Sequence, residues 1–202
     1  MVGFNRRFSP HIESIKSAID NNGPVNIIAT MNAGFIPKDH WVHDMEVGGG
    51  RIVGEACHYM DICNYLTSSK IKSICMNSMG KSKSQNTDNA SILLKFEDGS
   101  NATLNYFSNG AKSYSKERIE VYSNESTWIM DNFRNTIGYN APKFKKVSTS
   151  LDKGHQMQFN KYIHHLKNGL EPIIDIDDII NTTKASFAAL ESLKESKWID
   201  IV

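Results

Sequence analysis

Hydrophobic and polar positions follow a helical period in four segments of this chain. In the first segment, Ser9 and Pro10 are typical of a helix start, and isoleucines then recur at helical spacing, at Ile12, Ile15 and Ile19. The run Asn21-Asn22-Gly23-Pro24 predicts the end of that helix. The other three helices are predicted at about Gly54 to Leu66, about Gly154 to Asn168 and about Asp177 to Glu195.

Between the helices, the pattern changes to β-rich segments separated by short turns. Asp98-Gly99 is a strong hairpin-turn signal between two of them. Because strands joined by short turns pair antiparallel, we expect an α+β fold, a large and mainly antiparallel open sheet with helices packed on one face. The predicted strands are Pro24 to Asn32, Ile71 to Met79, Ala90 to Glu97, Ala102 to Phe107, Arg118 to Ser123 and Thr127 to Asp131, with the end of a strand at Val2-Gly3-Phe4 and a last strand at Trp198 to Val202.

Two segments of the chain follow neither the helical period nor the strand period. Ala33 to Val47 is polar, aromatic and irregular, which is typical of a functional loop on a rigid frame, and Phe133 to Lys153 is also predicted to be irregular.

The second face of the sheet, which no helix covers, is predicted to be partly apolar. An apolar open sheet face usually forms an oligomer interface. The strand residues that predict such a face are Leu93, Leu104, Tyr106 and Phe107.

The composition predicts a soluble, cytoplasmic, globular protein. Hydrophobic residues make up 40% of the 202 residues, which suits a single domain with a real core. With 23 basic and 22 acidic residues, the chain lacks the excess of positive charge that nucleic-acid binding requires. No apolar run approaches the roughly 20 residues of a membrane span, and the start of the chain is charged where a signal peptide is apolar. The three cysteines, Cys57, Cys63 and Cys75, match no zinc or disulfide framework.

The glycine-rich stretch GGGRIVGEACHYMD, from Gly48 to Asp61, is the predicted chemical centre. Its glycines do not make a dinucleotide fingerprint, because Val53 stands in the place of the third glycine. They do not make a phosphate-binding P-loop either, because Glu55-Ala56 stands where Lys and Ser or Thr are required. We therefore expect this glycine-rich loop to cradle no nucleotide.

The helix that follows carries three candidate catalytic residues. Glu55, His58 and Asp61 lie three positions apart and share one helix face. An imidazole flanked by carboxylates is a plausible general base, since a carboxylate can fix its tautomer and raise its basicity. The alternative is that His58 is a buried packing residue and that Asp61 only satisfies a neighbouring N–H group.

Candidate substrate-binding residues surround this centre. Amide, imidazole and aromatic groups concentrate between Asn32 and Asp44, and they suit the hydroxyls and apolar face of a sugar ring. The spacing of His40, His43 and His58 matches no known zinc pattern, so no metal is predicted. Arg6 suits an anionic substrate group or an acidic neighbour in the protein. The predicted substrate-side residues are Arg6, Asn32, Lys38, His40, Asp44, Gly50 and Arg51.

Three segments resemble one known family. VGFNRRFSPH at Val2 to His11, NAG at Asn32 to Gly34 and GGGRIVGEACHYMDICNYL at Gly48 to Leu66 resemble the glucose-fructose oxidoreductase/inositol dehydrogenase family (Gfo/Idh/MocA). The resemblance covers the chain as a single domain, 1–202, corresponding to the C-terminal α/β domain of the family, without its N-terminal Rossmann domain. His58 matches the family histidine that contacts the reacting hydroxyl. The family often has Asp four residues before that histidine, where this chain has Gly54, and Glu55 is the nearby carboxylate.

The resemblance implies the substrate-binding and oligomerisation half of an NAD- or NADP-dependent oxidoreductase. The substrate would be a secondary alcohol of a sugar, polyol or nucleotide-sugar, in a branch associated with polysaccharide biosynthesis. NAD or NADP would bind in the missing domain, and homodimers or tetramers would form through the open sheet face. By itself the chain would be inactive. The alternative is a non-catalytic, dimerising carbohydrate-binding or scaffold domain.

Overall fold

The secondary structure consists of four α-helices, nine strands and three short helical turns in the computed structural model, which describes residues 1–19, 23–80 and 84–202. The helices are α1 (Pro10–Ala18), α2 (Cys57–Thr67), α3 (His155–Asn168) and α4 (Ile176–Glu195). The strands are β1 (Asn26–Asn32), β2 (Ile71–Ser78), β3 (Ala90–Phe96), β4 (Asn101–Phe107), β5 (Glu117–Ser123), β6 (Ser126–Asp131), β7 (Asn135–Tyr139), β8 (Val147–Ser148) and β9 (Ile199–Asp200). The short turns are 3-10 helices at Arg6–Phe8 and Trp41–His43 and a π-helix at Ile52–Ala56.

All nine strands form one sheet, in the order β8-β7-β6-β5-β1-β4-β3-β2-β9. β1 and β4 pair in parallel, and the other neighbouring strands pair antiparallel within the described residues. The predicted α+β fold with a mainly antiparallel sheet is therefore confirmed. The parallel pair places the C-terminal ends of β1 and β4 side by side, and this edge carries the candidate site.

Local sequence signals explain where the helices begin. The hydroxyl of Ser9 accepts a hydrogen bond from the backbone N–H of His11, and Pro10 occupies the first position of α1, where no N–H is needed. In the same way, the carboxylate of Asp175 accepts from the backbone N–H of Asp177 at the start of α4. α1 ends at Ala18, and the predicted stop at Asn21-Asn22 lies outside the described residues.

The helices cover one face of the sheet, and the hydrophobic core lies between them. Alternate residues along each strand point to the two faces, so each face shows continuous rows of side chains across the strands. On the helix side, one such row consists of Ala90, Tyr106, Met31 and Glu117, from β3, β4, β1 and β5. On the open side, one row consists of Cys75, Leu93, Thr103, Ile28, Glu120, Ile129 and Ile137.

The structure corrects several expectations. Leu104 and Tyr106 were predicted on the open face, but they are 2% and 1% exposed and belong to the core under the helices. The residues Val2, Gly3 and Phe4 form no strand, since they pack near α3 and α4 instead of joining the sheet. The segment Phe133 to Lys153 is less irregular than expected, because it contains β7 and β8, which extend one edge of the sheet.

Within the described residues, no helix is both long and apolar enough to cross a membrane.

Candidate active site

The segment with the predicted catalytic residues is joined to the sheet by two tyrosine–glutamate hydrogen bonds. Tyr106 on the sheet donates to Oε2 of Glu55 in the π-helix, over 2.8 Å. Tyr59 on α2 donates to Oε1 of Glu117 on the sheet, over 2.6 Å. Tyr106 and Glu117 are the two strand neighbours of Met31 in β1. His58 lies on the first turn of α2, between the two bonded positions in sequence, so the sheet fixes the backbone that carries it.

Glu117 is the centre of a buried charge cluster. Its carboxylate has no solvent exposure, and it accepts from Tyr59 and pairs with Arg6 at 3.0 Å and with Lys153 at 2.7 Å. Burial alone would raise the pKa of Glu117, but Arg6, Lys153 and Tyr59 outweigh burial and hold that pKa below its usual value. Glu117 is therefore ionised, and it neutralises one of the two cations that lie next to the start of α2.

His58 is held as a neutral imidazole. Burial and, after it, the positive charge of Arg6 lower its pKa from 6.5 to about 4, although the charges of Glu117 and Glu55 act in the opposite direction. The ring meets the edge of Phe4, with centroids 5.8 Å apart. Its Nδ1 is shielded from solvent and has no hydrogen-bond partner. A half-buried imidazole that is uncharged at neutral pH can accept a proton from a substrate hydroxyl.

Asp61 has a different partner from the predicted one. Its two oxygens accept from Arg7, with Nε at 3.0 Å and Nη2 at 2.5 Å, and no hydrogen bond joins Asp61 to His58 in the described structure. Burial raises the pKa of Asp61 more than the bonds from Arg7 lower it, so the pKa of this carboxyl rises to about 6. The predicted role of Asp61 in orienting His58 does not agree with this geometry. The carboxylate instead joins α2 to the 3-10 turn that carries Arg7, and Arg7 also reaches Asp178 of α4 at 3.5 Å.

Arg51 and Glu55 hold the loop that follows β1. Arg51 was predicted to bind substrate, but its side chain is 2% exposed and donates to the carbonyl of Gly34 at 2.8 Å. It also lies over the ring of Tyr106 and pairs with Glu55 at 3.3 Å. These contacts occupy the guanidinium within the protein, so Arg51 positions the loop. Glu55 has partners on both oxygens and remains partly exposed.

The other predicted substrate-side residues lie at the same edge of the sheet but do not converge on His58. Lys38, His40 and Asp44 are exposed on the loop after β1. The imidazole of His40 and the carboxylate of Asp44 accept from nearby backbone N–H groups, so both shape their own turns. Asn32, at the end of β1, donates to the carbonyl of Ala111 at 2.8 Å. Among these candidates, Arg6 lies close enough to His58 for its charge to lower the pKa of that imidazole. Its guanidinium also pairs with Glu117.

The glycines of the GGG run, Gly48 to Gly50, allow neighbouring segments of the chain to pack closely against each other. A Cβ at Gly48 would lie 2.6 Å from the carbonyl oxygen of Trp41, so only glycine allows the two segments to touch. Gly49 and Gly50 have φ values of +68° and +77°, the left-handed region that favours glycine. Gly50 thus bends the backbone, and a Cβ there would press on Met45. These features do not fit a dinucleotide pyrophosphate, which needs open backbone at a strand-to-helix turn.

The sequence interpretation missed Glu117, Tyr59 and Lys153. One signal for Glu117 was available: it begins an alternating pattern with Ile119 and Val121, all three fully buried, so the period places a carboxylate on the core face. A buried carboxylate requires a cation or donors close by. Which cations these are depends on the tertiary fold, since Arg6 and Lys153 lie far away in sequence.

In the part of the chain that the structure describes, no three side chains of His, Cys, Asp or Glu come together as a metal site.

Comparison with known proteins gives a consistent family assignment. Residues 12–129 match the family described as the GFO/IDH/MocA C-terminal domain. An uncharacterized oxidoreductase from Bacillus subtilis, YrbE, is 26% identical over 80% of this chain and 48% of its own length. Myo-inositol 2-dehydrogenase from Thermotoga maritima is 21% identical over 99% of this chain and 64% of its own length. The chain thus spans about half to two thirds of the length of these relatives.

A solved structure shows the same fold over the whole chain. Levoglucosan dehydrogenase in complex with NADH superposes with a TM-score of 0.82 at 15% identity, covering 100% of this chain and 66% of that one. Other oxidoreductases superpose comparably, including one from Kribbella flavida with a TM-score of 0.83. The match to more than half of the residues, together with the shared fold, shows that this chain belongs to the GFO/IDH/MocA family of oxidoreductases.

Proposed function

We propose that this chain is the substrate-binding and oligomerisation half of an NAD(P)-dependent oxidoreductase that acts on a secondary alcohol of a sugar, polyol or nucleotide-sugar. The observation that supports it most directly is His58, a neutral and half-buried imidazole on a helix turn that two tyrosine–glutamate bonds fix to the sheet. The dehydrogenases of myo-inositol and levoglucosan among the similar proteins favour a polyhydroxylated substrate.

NAD or NADP, held by a domain other than this one, would supply the hydride acceptor. The work of this chain is to hold the alcohol and to take its proton. As the C–H bond breaks and its electron pair leaves with the hydride, the O–H bond breaks and the hydroxyl proton goes to His58, which leaves a carbonyl. In the opposite direction, His58 returns the proton to the oxygen.

The charges around His58 suit this transfer. Arg6 lies close enough to lower the pKa of His58, and its guanidinium is partly exposed, so it can also stabilise negative charge that develops on the substrate oxygen. Glu117 holds Arg6 from the buried side through an ion pair of 3.0 Å. Arg6 is thus fixed in place before the substrate arrives, and no reorganisation is needed during the reaction.

The open sheet face is the proposed surface for homodimers or tetramers. Its central row carries Leu93, Ile28, Ile129 and Ile137, with Leu93 44% and Ile28 40% exposed. Single exposed apolar residues are common, but this row places apolar residues on four strands, interrupted by Thr103 and Glu120, and such a recurrence supports a surface that pairs with another protein.

The test of the catalytic proposal is the rate of sugar oxidation by the complete protein that the gene encodes. We expect His58→Asn to lower kcat by at least 100-fold, the usual contribution of general base catalysis, with little change in KM. Unchanged turnover by His58→Asn would remove His58 from the mechanism. Loss of all turnover on every sugar tried, by wild type as well, would favour the non-catalytic carbohydrate-binding alternative.

A separate titration tests the location of the cofactor. We expect the 202-residue chain alone to leave the fluorescence of NADH unchanged. Tight and saturable binding of NADH to this chain would contradict the proposal that the nicotinamide is held elsewhere.

A further inference from the structure

Helix α3 turns its apolar side away from the rest of the described structure. Phe159, Ile163 and Leu166 lie four and three positions apart and share one face of the helix, and Phe159 and Leu166 are 53% and 65% exposed. The opposite side carries Gln158, which is 3% exposed and donates to the backbone carbonyl of Val2 at 2.8 Å. A helix on the surface of a single domain has the reverse arrangement, with its apolar stripe facing the core. The outer side of α3 is therefore suited to contact a second body.

The start of α4 adds to this apolar surface. Ile176 and Ile180 lie four positions apart on one face of α4, and both are exposed. Between the two helices lies a mostly apolar cavity of about 390 Å³, which we call the α3/α4 groove. The residues that line it and bear on its chemistry are Val2, Tyr162, Leu166, Leu170, Ile173 and Ile176. Contiguous apolar surface around a groove is typical of a site that another protein surface covers.

The lengths of the similar proteins indicate what that second body is. About a third of the polypeptide of myo-inositol 2-dehydrogenase and of levoglucosan dehydrogenase lies outside the region that matches this chain. A segment of that share is large enough to form a further domain. The function proposed above also requires a further domain, because the GGG run does not fit a dinucleotide and the cofactor must be held elsewhere.

The α3/α4 groove lies where such a domain would meet this chain. Val2 lines the groove and is held by Gln158, so polypeptide joined ahead of Val2 begins at the groove. A domain tethered this closely has a high effective concentration for the neighbouring surface.

The groove is also adjacent to the surroundings of His58. Phe4 meets the ring of His58 edge-on, with centroids 5.8 Å apart. Phe4 belongs to a small apolar cluster that extends from the wall of the groove to the residue before His58, formed by Phe4, Phe8 and Ile174 with Val2, Cys57, Ile173 and Ile179 packed around them. A domain on the groove is thus separated from His58 by one packed cluster, as hydride transfer between its cofactor and a bound alcohol requires.

We propose, building on the function proposed above, that the α3/α4 groove is the docking surface for the cofactor-binding domain of the complete protein. The stripe of Phe159, Ile163 and Leu166 packs against that domain, and an apolar side chain of the domain enters the groove. The open sheet face remains available for a second copy of this chain. Docking fixes the position of the cofactor relative to His58, so the groove affects hydride transfer without contacting the reacting atoms.

A double charge substitution in the complete protein tests the docking surface. Ile163→Lys combined with Leu166→Lys places two charges in the stripe, and both residues are exposed in this domain, so the domain itself should stay folded. We expect the amides of α3 to exchange hydrogen for deuterium about tenfold faster than in wild type, because the helix loses its cover. Small-angle X-ray scattering should show a larger radius of gyration. Val47→Lys combined with Met79→Lys is the matched control, since it changes two exposed apolar residues away from α3 and should leave both measurements unchanged.

The possible outcomes separate this proposal from its alternatives. It is overturned if the Ile163/Leu166 variant matches wild type in exchange and scattering, or if the gene encodes no domain beyond these 202 residues. Loss of α3 protection on dilution of wild type would also overturn it and would assign the groove to a second copy of the chain. Neither measurement needs turnover, and His58→Asn should behave like wild type in both. A complete protein that oxidises no sugar but protects α3 would therefore contradict the proposed function and support the docking surface.

Discussion

The hydroxyl of Tyr59 lies 2.6 Å from Oε1 of Glu117, a carboxylate with no exposure to solvent. Glu117 is also the shared counter-ion of Arg6 and Lys153. The bond therefore joins the helix that carries His58 to a charge cluster at the edge of the sheet. Changes to the two residues should have very different costs, because one removes a charge and the other a single hydrogen bond.

Glu117→Gln should reduce the free energy of unfolding by about 3–5 kcal/mol, since it leaves two partly buried cations without their carboxylate. Tyr59→Phe keeps the charges and should cost about 1–2 kcal/mol, the price of one buried bond to a charged acceptor. Urea unfolding followed by circular dichroism measures both. Equal losses for the two variants would show that the ion pairs of Glu117 contribute little.

His58 should make the fold less stable in acid. Its pKa is about 4 in the folded chain and 6.5 in the unfolded chain, so the unfolded state binds more protons as the pH falls from 6.5 to 4. Stability is lost through that window, by at most about 3 kcal/mol. His58→Asn removes this contribution, so its free energy of unfolding should fall less steeply than that of wild type. Parallel stability curves between pH 6.5 and 4 would contradict a lowered pKa at His58.

Asp61→Asn separates the observed role of Asp61 from the predicted one. Because Arg7 loses its buried counter-ion, we expect a destabilisation of about 3–5 kcal/mol. The pKa of His58, measured by NMR titration of its ring protons, should stay close to that of wild type. A shift of that pKa by more than one unit would restore the hypothesis that Asp61 orients His58. Asp178→Asn, whose carboxylate is partly exposed, is the milder control, with a cost of about 1 kcal/mol or less.

Gly48→Ala tests the close packing of the GGG run. A Cβ at this position would meet the backbone of Trp41 and Val42 at less than 3 Å, so the turn must shift, at a cost of about 1–3 kcal/mol. Gly3→Ala is a matched control, since a Cβ there meets no atom within 4 Å. Thermal unfolding should show a lower Tm for Gly48→Ala only. An unchanged Tm would mean that the loop yields freely.

Added charge on the open sheet face tests whether this face is an oligomer interface. Ile28 and Leu93 flank Thr103 in the central row, so Ile28→Lys combined with Leu93→Lys places two positive charges at its centre. We expect sedimentation velocity to show a dimer or tetramer for wild type and a monomer for this variant. Val47→Lys changes an equally apolar but distant exposed residue and should keep the wild-type assembly. A monomeric wild type would remove the proposed interface.

The helices and most strands could be predicted from sequence because their periods report burial. Ile12 and Ile15, chosen for helical spacing, are both fully buried. The period of two along a strand also indicates which face of the sheet each side chain points to. The prediction that Leu104 and Tyr106 lie on the open face was wrong. Both alternate with the open-face residues Thr103, Asn105 and Phe107, so Tyr106 and Phe107 cannot share a face.

The candidate site was only partly predictable, because its contacts join distant segments. His58 could be proposed from a local motif, and its position on the first turn of a helix agrees with that motif. The pairing of Asp61 with Arg7 spans 54 positions, and that of Glu117 with Arg6 spans 111. The helical period places Asp61 near His58. Only the tertiary fold determines that the guanidinium of Arg7, from another element, binds the Asp61 carboxylate instead.

The first nine residues of the chain are tied to residues that are synthesised much later. Asn5 donates to the carbonyl of Lys153, Ser9 to that of Asp152, and Gln158 to that of Val2. Arg6 can pair with Glu117 only after more than half of this polypeptide has been synthesised. His58 reaches its final surroundings no earlier, because Arg6 is part of them. Loop closure over such separations slows folding. Chains that lose residues after 150 should therefore leave the segment from Val2 to Ser9 without these partners and accessible to proteases.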